Sequence, residues 1–95
     1  MADNPEQVKI LGLDYTISYK DQMDNAGECY ADLEQINILN ALSINAKKST
    51  VLHEIIEALV HGLDMKMEHH NICLLETGLL AVMRDNPDLI DWLKQ

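Results

Sequence analysis

Phenylalanine is absent from this 95-residue sequence, and aromatic residues account for only 4% of it. A core built from these residues is therefore aliphatic, made of Leu, Ile, Val and Met. Basic residues are scarce: seven Lys and Arg stand against sixteen Asp and Glu, a formal net charge of −9. A phosphate backbone is repelled by such a surface, so nucleic-acid binding is not expected. The acidity serves solubility, and it suits a basic protein partner. Cysteine is scarce too. Cys29 and Cys73 lie far apart and form no CxxC pair or other zinc-ligand spacing, which points to free thiols in a reducing setting. No apolar run reaches membrane length. The opening Met1-Ala2-Asp3-Asn4-Pro5-Glu6 lacks the basic and apolar regions of a signal peptide. A cytoplasmic protein without membrane contact is the expectation.

Hydrophobic residues are nonetheless 47% of the total, enough for a globular chain. The length suits a single domain spanning residues 1–95. A chain of this size buries roughly 60–65% of its unfolded surface, which supports one core and no separate substrate-recognition domain.

The first half reads as strands. Val8 to Leu11 is apolar but for Lys9, and Gly12-Leu13 suggests a tight hairpin. Tyr15, Ile17 and Tyr19 then alternate with Thr16, Ser18 and Lys20, the period of a strand with one buried face. Asp21 to Gly27 is a polar loop. Glu28 to Ala31 and Gln35 to Leu39, joined across Asp32-Leu33-Glu34, form a second pair. The expectation is an α+β fold with a small antiparallel sheet of three or four strands.

After Asn40 the period changes. Asn45 is positioned to cap a helix beginning near Ala46, with Leu52, Ile55, Ile56, Leu59 and Leu63 on one stripe. That helix should end near Gly62. A second is expected from about Glu68 to Arg84, with Ile72, Leu75, Leu79 and Val82 as its apolar stripe. Asn86-Pro87 should end it and open a short third helix, which Ile90 and Trp92 would close onto the core.

The segment Leu52-His53-Glu54-Ile55-Ile56-Glu57 carries the candidate chemistry. Two metal ligands four residues apart on a helix meet at one point, and His53 and Glu57 have that spacing. Glu54 holds the position of the general base in an HExxH arrangement and is expected to project to the side. Spacing alone also fits a solvated acidic face. On the second helix, His69 and Glu76 stand seven residues apart and share a face. Glu76 sits among Cys73, Leu75 and Leu80, so its carboxylate needs a partner, either a divalent cation or a basic side chain such as Arg84 or Lys48. His61 reads as an ordinary exposed helix residue and one of His69 and His70 as a loop or cap residue, with His61 and His70 left open as further ligands.

The stretch from Gly27 through Pro87 resembles small zincin-like proteins of phages and mobile elements, related in pattern to repressor-cleaving zinc peptidases. The likeness is carried by Gly27-Glu28-Cys29-Tyr30, Ile36-Asn37-Ile38, Leu42-Ser43, the HExxE segment from His53 to Glu57, and Leu79 with Arg84-Asp85-Asn86-Pro87. It implies a minimal zincin-like core with zinc, or another divalent metal, between two packed helices. His53 matches the first histidine of the family motif and Glu54 its general base. Position 57 departs from the motif, carrying Glu in place of His. The implied ligands are His53, Glu57 and His69, with Glu76 as a fourth ligand or as an acceptor orienting a ligating histidine.

Three functions follow as expectations. The first is a metal-dependent hydrolase, a peptidase in particular, with Glu54 as base. The second is an inactive zincin-like module that binds a host or phage protein through its acidic surface, in the host cytoplasm if phage-encoded. The third is a metal-free domain whose acidic helix is only surface.

Overall fold

The computed structural model describes residues 3–95. Four strands come first: β1 (Gln7–Ile10), β2 (Leu13–Lys20), β3 (Gly27–Tyr30) and β4 (Gln35–Leu39). Three helices follow: α1 (Ile44–Gly62), α2 (His69–Asp85) and the short α3 (Leu89–Leu93). The fold is α+β, as the change of period at Asn40 implied.

Alternation in β2 and β4 sends Tyr15, Ile17, Ile36 and Ile38 to one face, where they are buried with Ile10 of β1. Val51, Ile55, Ala58 and Leu59 of α1 pack over them. Each fully buried Ile contributes about 1.5–3 kcal/mol relative to exposure. The opposite face is polar. There Gln35 Nε2 donates to Ser18 Oγ at 2.9 Å and to Asn37 Oδ1 at 2.8 Å. One helix layer on one side of the sheet is therefore sufficient.

The sheet order is β1-β2-β4-β3, and it is mixed, not wholly antiparallel. β1 pairs with β2, and β3 with β4, antiparallel, but β2 and β4 run parallel, with Ile17 opposite Ile36. The chain leaves β2, runs back along the outer edge as β3, then turns inward to β4. Alternating apolar residues specify a face but not a direction, so the pattern did not distinguish these arrangements. The β1–β2 turn is also displaced by one residue. Leu11 and Gly12 are its centre, with φ of 51° and 84°, as a two-residue hairpin with left-handed central residues requires.

Helix α1 begins before Asn45. Ser43 Oγ accepts from the Ala46 amide at 3.2 Å, and that cap starts the helix at Ile44. Its end at Gly62 is as expected. α2 starts at His69 after Glu68 and packs against α1, where Ile72 is buried. The rest of its expected stripe is not: Leu75 is 41% exposed, Leu79 40% and Val82 47%. α1 alone covers the sheet's core, so α2 has only one flank to bury. α3 starts two residues after Pro87, with Asp88 at its N-cap, and does not close on the core, since Ile90 and Trp92 are exposed. Five residues at the far end of α2 reach no apolar surface of the sheet. Among the described residues no helix is long and apolar enough to cross a membrane.

Candidate metal centre

α1 faces the sheet with Val51, Ile55 and Ala58 and faces α2 with the side that carries Ser49, His53 and Ile56. Between these two faces lie Thr50, Glu54 and Glu57. They open into a cavity of about 560 Å³, walled on one side by Gly27, Glu28 and Cys29 of β3 and on the other by His69, Cys73 and Glu76 of α2. The sequence-predicted residues His53, Glu54, Glu57, His69 and Glu76 thus all line one cavity.

His53 is buried at the centre of the group. Its Nε2 lies 3.7 Å from Glu57 Oε1, one helical turn on, and its Nδ1 lies 3.4 Å from Glu76 Oε1 across the helix pair. Glu76 is fixed in turn by Ser49, whose Oγ donates to Oε2 at 2.5 Å. Glu76 therefore meets a histidine and a serine of α1, not Arg84 or Lys48, but it faces the same Nδ1 that Cys73 approaches. The carboxylate facing the other ring nitrogen, as an orienting acceptor must, is Glu57 at Nε2. The His69 ring stands with its centroid 4.9 Å from that of His53, tilted by 60°.

Cys73 is the residue that sequence reasoning passed over. Its Sγ lies 3.5 Å from His69 Nε2 and 4.0 Å from His53 Nδ1. One donor atom from each of His53, His69 and Cys73 falls within 4.8 Å of the others. Tetrahedral zinc with Zn–N near 2.1 Å and Zn–S near 2.3 Å places ligand atoms roughly 3.3–3.7 Å apart, so small side-chain adjustments suffice. Two imidazoles and a thiolate are also a donor chemistry that zinc favours over magnesium or calcium. The missed signal was the spacing His69-x-x-x-Cys73. It is the same one-turn interval as His53 to Glu57, and a search confined to CxxC patterns does not detect it. Glu57 stands on the opposite ring edge of His53 from Cys73, at the more open side of the group.

Glu54 does not merely project sideways. It is buried beneath β3, and the space it occupies exists because residue 27 is glycine. A Cβ at Gly27 would stand 2.8 Å from Glu54 Oε2 and 2.6 Å from Thr50 Cγ2. Burial, and then the charges of Glu57 and Glu28, push the Glu54 carboxyl up to about 7. Cys29, on the same wall, is pushed up to about 11 by burial and by Glu54 and Glu57. Both cysteines are free. His61 lies outside the cavity, with Nε2 3.9 Å from Asp32 Oδ1, and His70 is exposed.

Compared with family models, curated proteins and solved structures, the chain matches none of them. The resemblance to zincin-like proteins therefore rests on the residues quoted for it.

Proposed function

We propose that this chain is a zincin-like, metal-dependent hydrolase with a variant HExxE helix, acting on peptides in a reducing compartment. The observation that carries this reading is the convergence of His53, His69 and Cys73 in one cavity with a buried acid, Glu54. The first three residues would hold the ion, with Glu57 at the open edge. A bound zinc ion supplies a Lewis acid and lowers the pKa of water.

The chain's own groups supply the rest. Glu54, with a carboxyl pushed up to about 7, exchanges a proton near neutral pH, the property required of a general base and acid. Glu57, beside His53 Nε2, would orient the ring with an ion at Nδ1, and Glu76, backed by Ser49, borders that Nδ1 edge. β3 and α2 wall the cavity on two sides. Glu28 and Glu57 give its lining negative charge, which disfavours anionic substrates.

One feature favours a second reading. Glu76 Oε1 lies 3.4 Å from His53 Nδ1, beside the group of His53, His69 and Cys73, and a closed set of four protein ligands is typical of structural zinc. On this reading the chain is a non-catalytic zincin-like module that binds a protein partner through its acidic surface.

The test is metal analysis of protein purified without added metal and then reconstituted, with hydrolysis of a mixed peptide library as the assay. The hydrolase reading expects one equivalent of metal and turnover that falls roughly 10²-fold or more in Glu54→Gln with the metal retained. Metal without turnover favours the second reading. No metal in either preparation overturns both.

A further inference from the structure

On the side of α1 opposite His53, Ile44, Lys48, Val51 and Ile55 recur at intervals of three and four, with Lys47 and Leu52 beside them. These residues line a second cavity, of about 410 Å³, bounded by Tyr19 of β2 and by the segment Asp3-Asn4-Pro5. It shares no lining residue with the metal cavity. Small-ligand pockets have roughly 300–1,000 Å³ and an apolar body with a few polar groups, and this cavity has both properties.

The body of the cavity is aliphatic, made by Ile44, Val51, Leu52 and Ile55. The Tyr19 hydroxyl is already engaged, donating to the Pro5 carbonyl at 2.6 Å. A polar group seated deep among these side chains would lose its water without a partner, which is costly. The polar contribution comes instead from two of the chain's seven Lys and Arg residues. Lys9 pairs with Asp14 and Lys94 with Asp91, but among the described residues neither Lys47 nor Lys48 is in an ion pair. Lys47 Nζ donates only to a neutral amide, Asn40 Oδ1 at 3.2 Å, and stands 5.9 Å from the centroid of the Tyr19 ring. The occupant that suits this lining has an apolar body and a negative charge where it meets the two ammonium groups. One charge suits better than two, because Asp3 is also in the lining and the chain as a whole carries −9.

We propose that this cavity binds a single-chain fatty carboxylate of roughly eight to twelve carbons, with its tail along Val51, Leu52 and Ile55 and its head at Lys47 and Lys48. The lysine stems add apolar contact to the tail while their ammonium groups reach the carboxylate. For so few non-hydrogen atoms the dissociation constant of a ten-carbon chain is on the order of 0.1 mM.

Decanoate titrated into the isotope-labelled full chain, below its micelle concentration and followed by amide chemical shifts, tests this. The shifts should saturate and centre on Tyr19, Ile44, Val51 and Ile55. Octanoate should bind roughly tenfold more weakly, since each buried methylene is worth about three- to fourfold. Decyltrimethylammonium, with the same tail and the opposite charge, should bind roughly tenfold or more weakly than decanoate. Lys47→Gln with Lys48→Gln should remove that preference. Ile44→Glu should weaken decanoate by a similar factor. Ile44 is 54% exposed in the first turn of α1, where an acid suits the helix dipole, so this variant should keep its fold, as circular dichroism can verify. Shifts that never saturate, or that centre on His69 and Cys73 or on the exposed face of α2, would overturn the proposal. So would equal affinity for the two head groups, decanoate binding indifferent to the lysine pair, or retention on phosphatidylglycerol vesicles without saturable decanoate binding.

Discussion

Gly27 of β3 and Glu54 of α1 are so close that a single methyl group at position 27 would fall 2.8 Å from the Glu54 carboxylate. The glycine is thus what allows an acid to be buried between the edge strand and the helix. Gly27→Ala should destabilise the fold by about 1–3 kcal/mol, the usual cost of overfilling a packed site. Chemical denaturation would measure it. An unchanged midpoint would mean that Thr50 and Glu54 move aside freely.

Stability should also depend on pH through Glu54. Its folded carboxyl titrates at about 7, above the 4.5 of an unhindered glutamate, so the folded state holds a proton that the unfolded chain has released. Where the folded state binds more protons, stability falls as pH rises. For metal-free protein this contribution is fully present below about pH 4.5 and is lost as pH climbs through about 7. Glu54→Gln removes it. Thermal melts of both proteins across that interval should show a flatter profile for the variant, and parallel profiles would contradict the assignment.

Cys29 should be a poor nucleophile. With its thiol pushed up to about 11, little thiolate exists at pH 8. Timed alkylation with iodoacetamide, read by mass spectrometry, should show Cys29 modified roughly tenfold or more slowly in folded protein than after denaturation. Equal rates would show that neither burial nor the neighbouring carboxylates protect it.

The two apolar populations should respond differently to truncation. Ile38→Ala empties a fully buried site facing α1 and should cost about 2–5 kcal/mol. Trp92→Ala removes a larger side chain, yet Trp92 is 67% exposed, and at dilute concentration the change should stay within about 0.5 kcal/mol. Urea midpoints of the two variants give the comparison. A large loss at Trp92 would mean that α3 docks after all.

Much of this arrangement was legible beforehand. Tyr15-Ile17-Tyr19 and Ile36-Ile38 announce their strands by period, and Ile55 and Leu59 announce the helix that covers them, because burial on one face leaves a periodic trace. Strand direction leaves none, so the parallel pairing of β2 with β4 was not readable. The apolar stripe of α2 was readable, but its destination was not: Leu75, Leu79 and Val82 have the same spacing whether they face a core, a second molecule or water. In the candidate site, His53, Glu54 and Glu57 were marked by local spacing. Cys73 became a candidate ligand only when the crossing of α1 and α2 brought it to His53 Nδ1.

Cobalt(II) titration of the metal-free protein, followed by absorption, bears most directly on the centre formed by His53, His69 and Cys73. Saturation at one equivalent is expected, with a thiolate-to-cobalt charge-transfer band that persists in Cys29→Ser and disappears in Cys73→Ser. A spectrum that never saturates, or a band that survives the loss of Cys73, would contradict it.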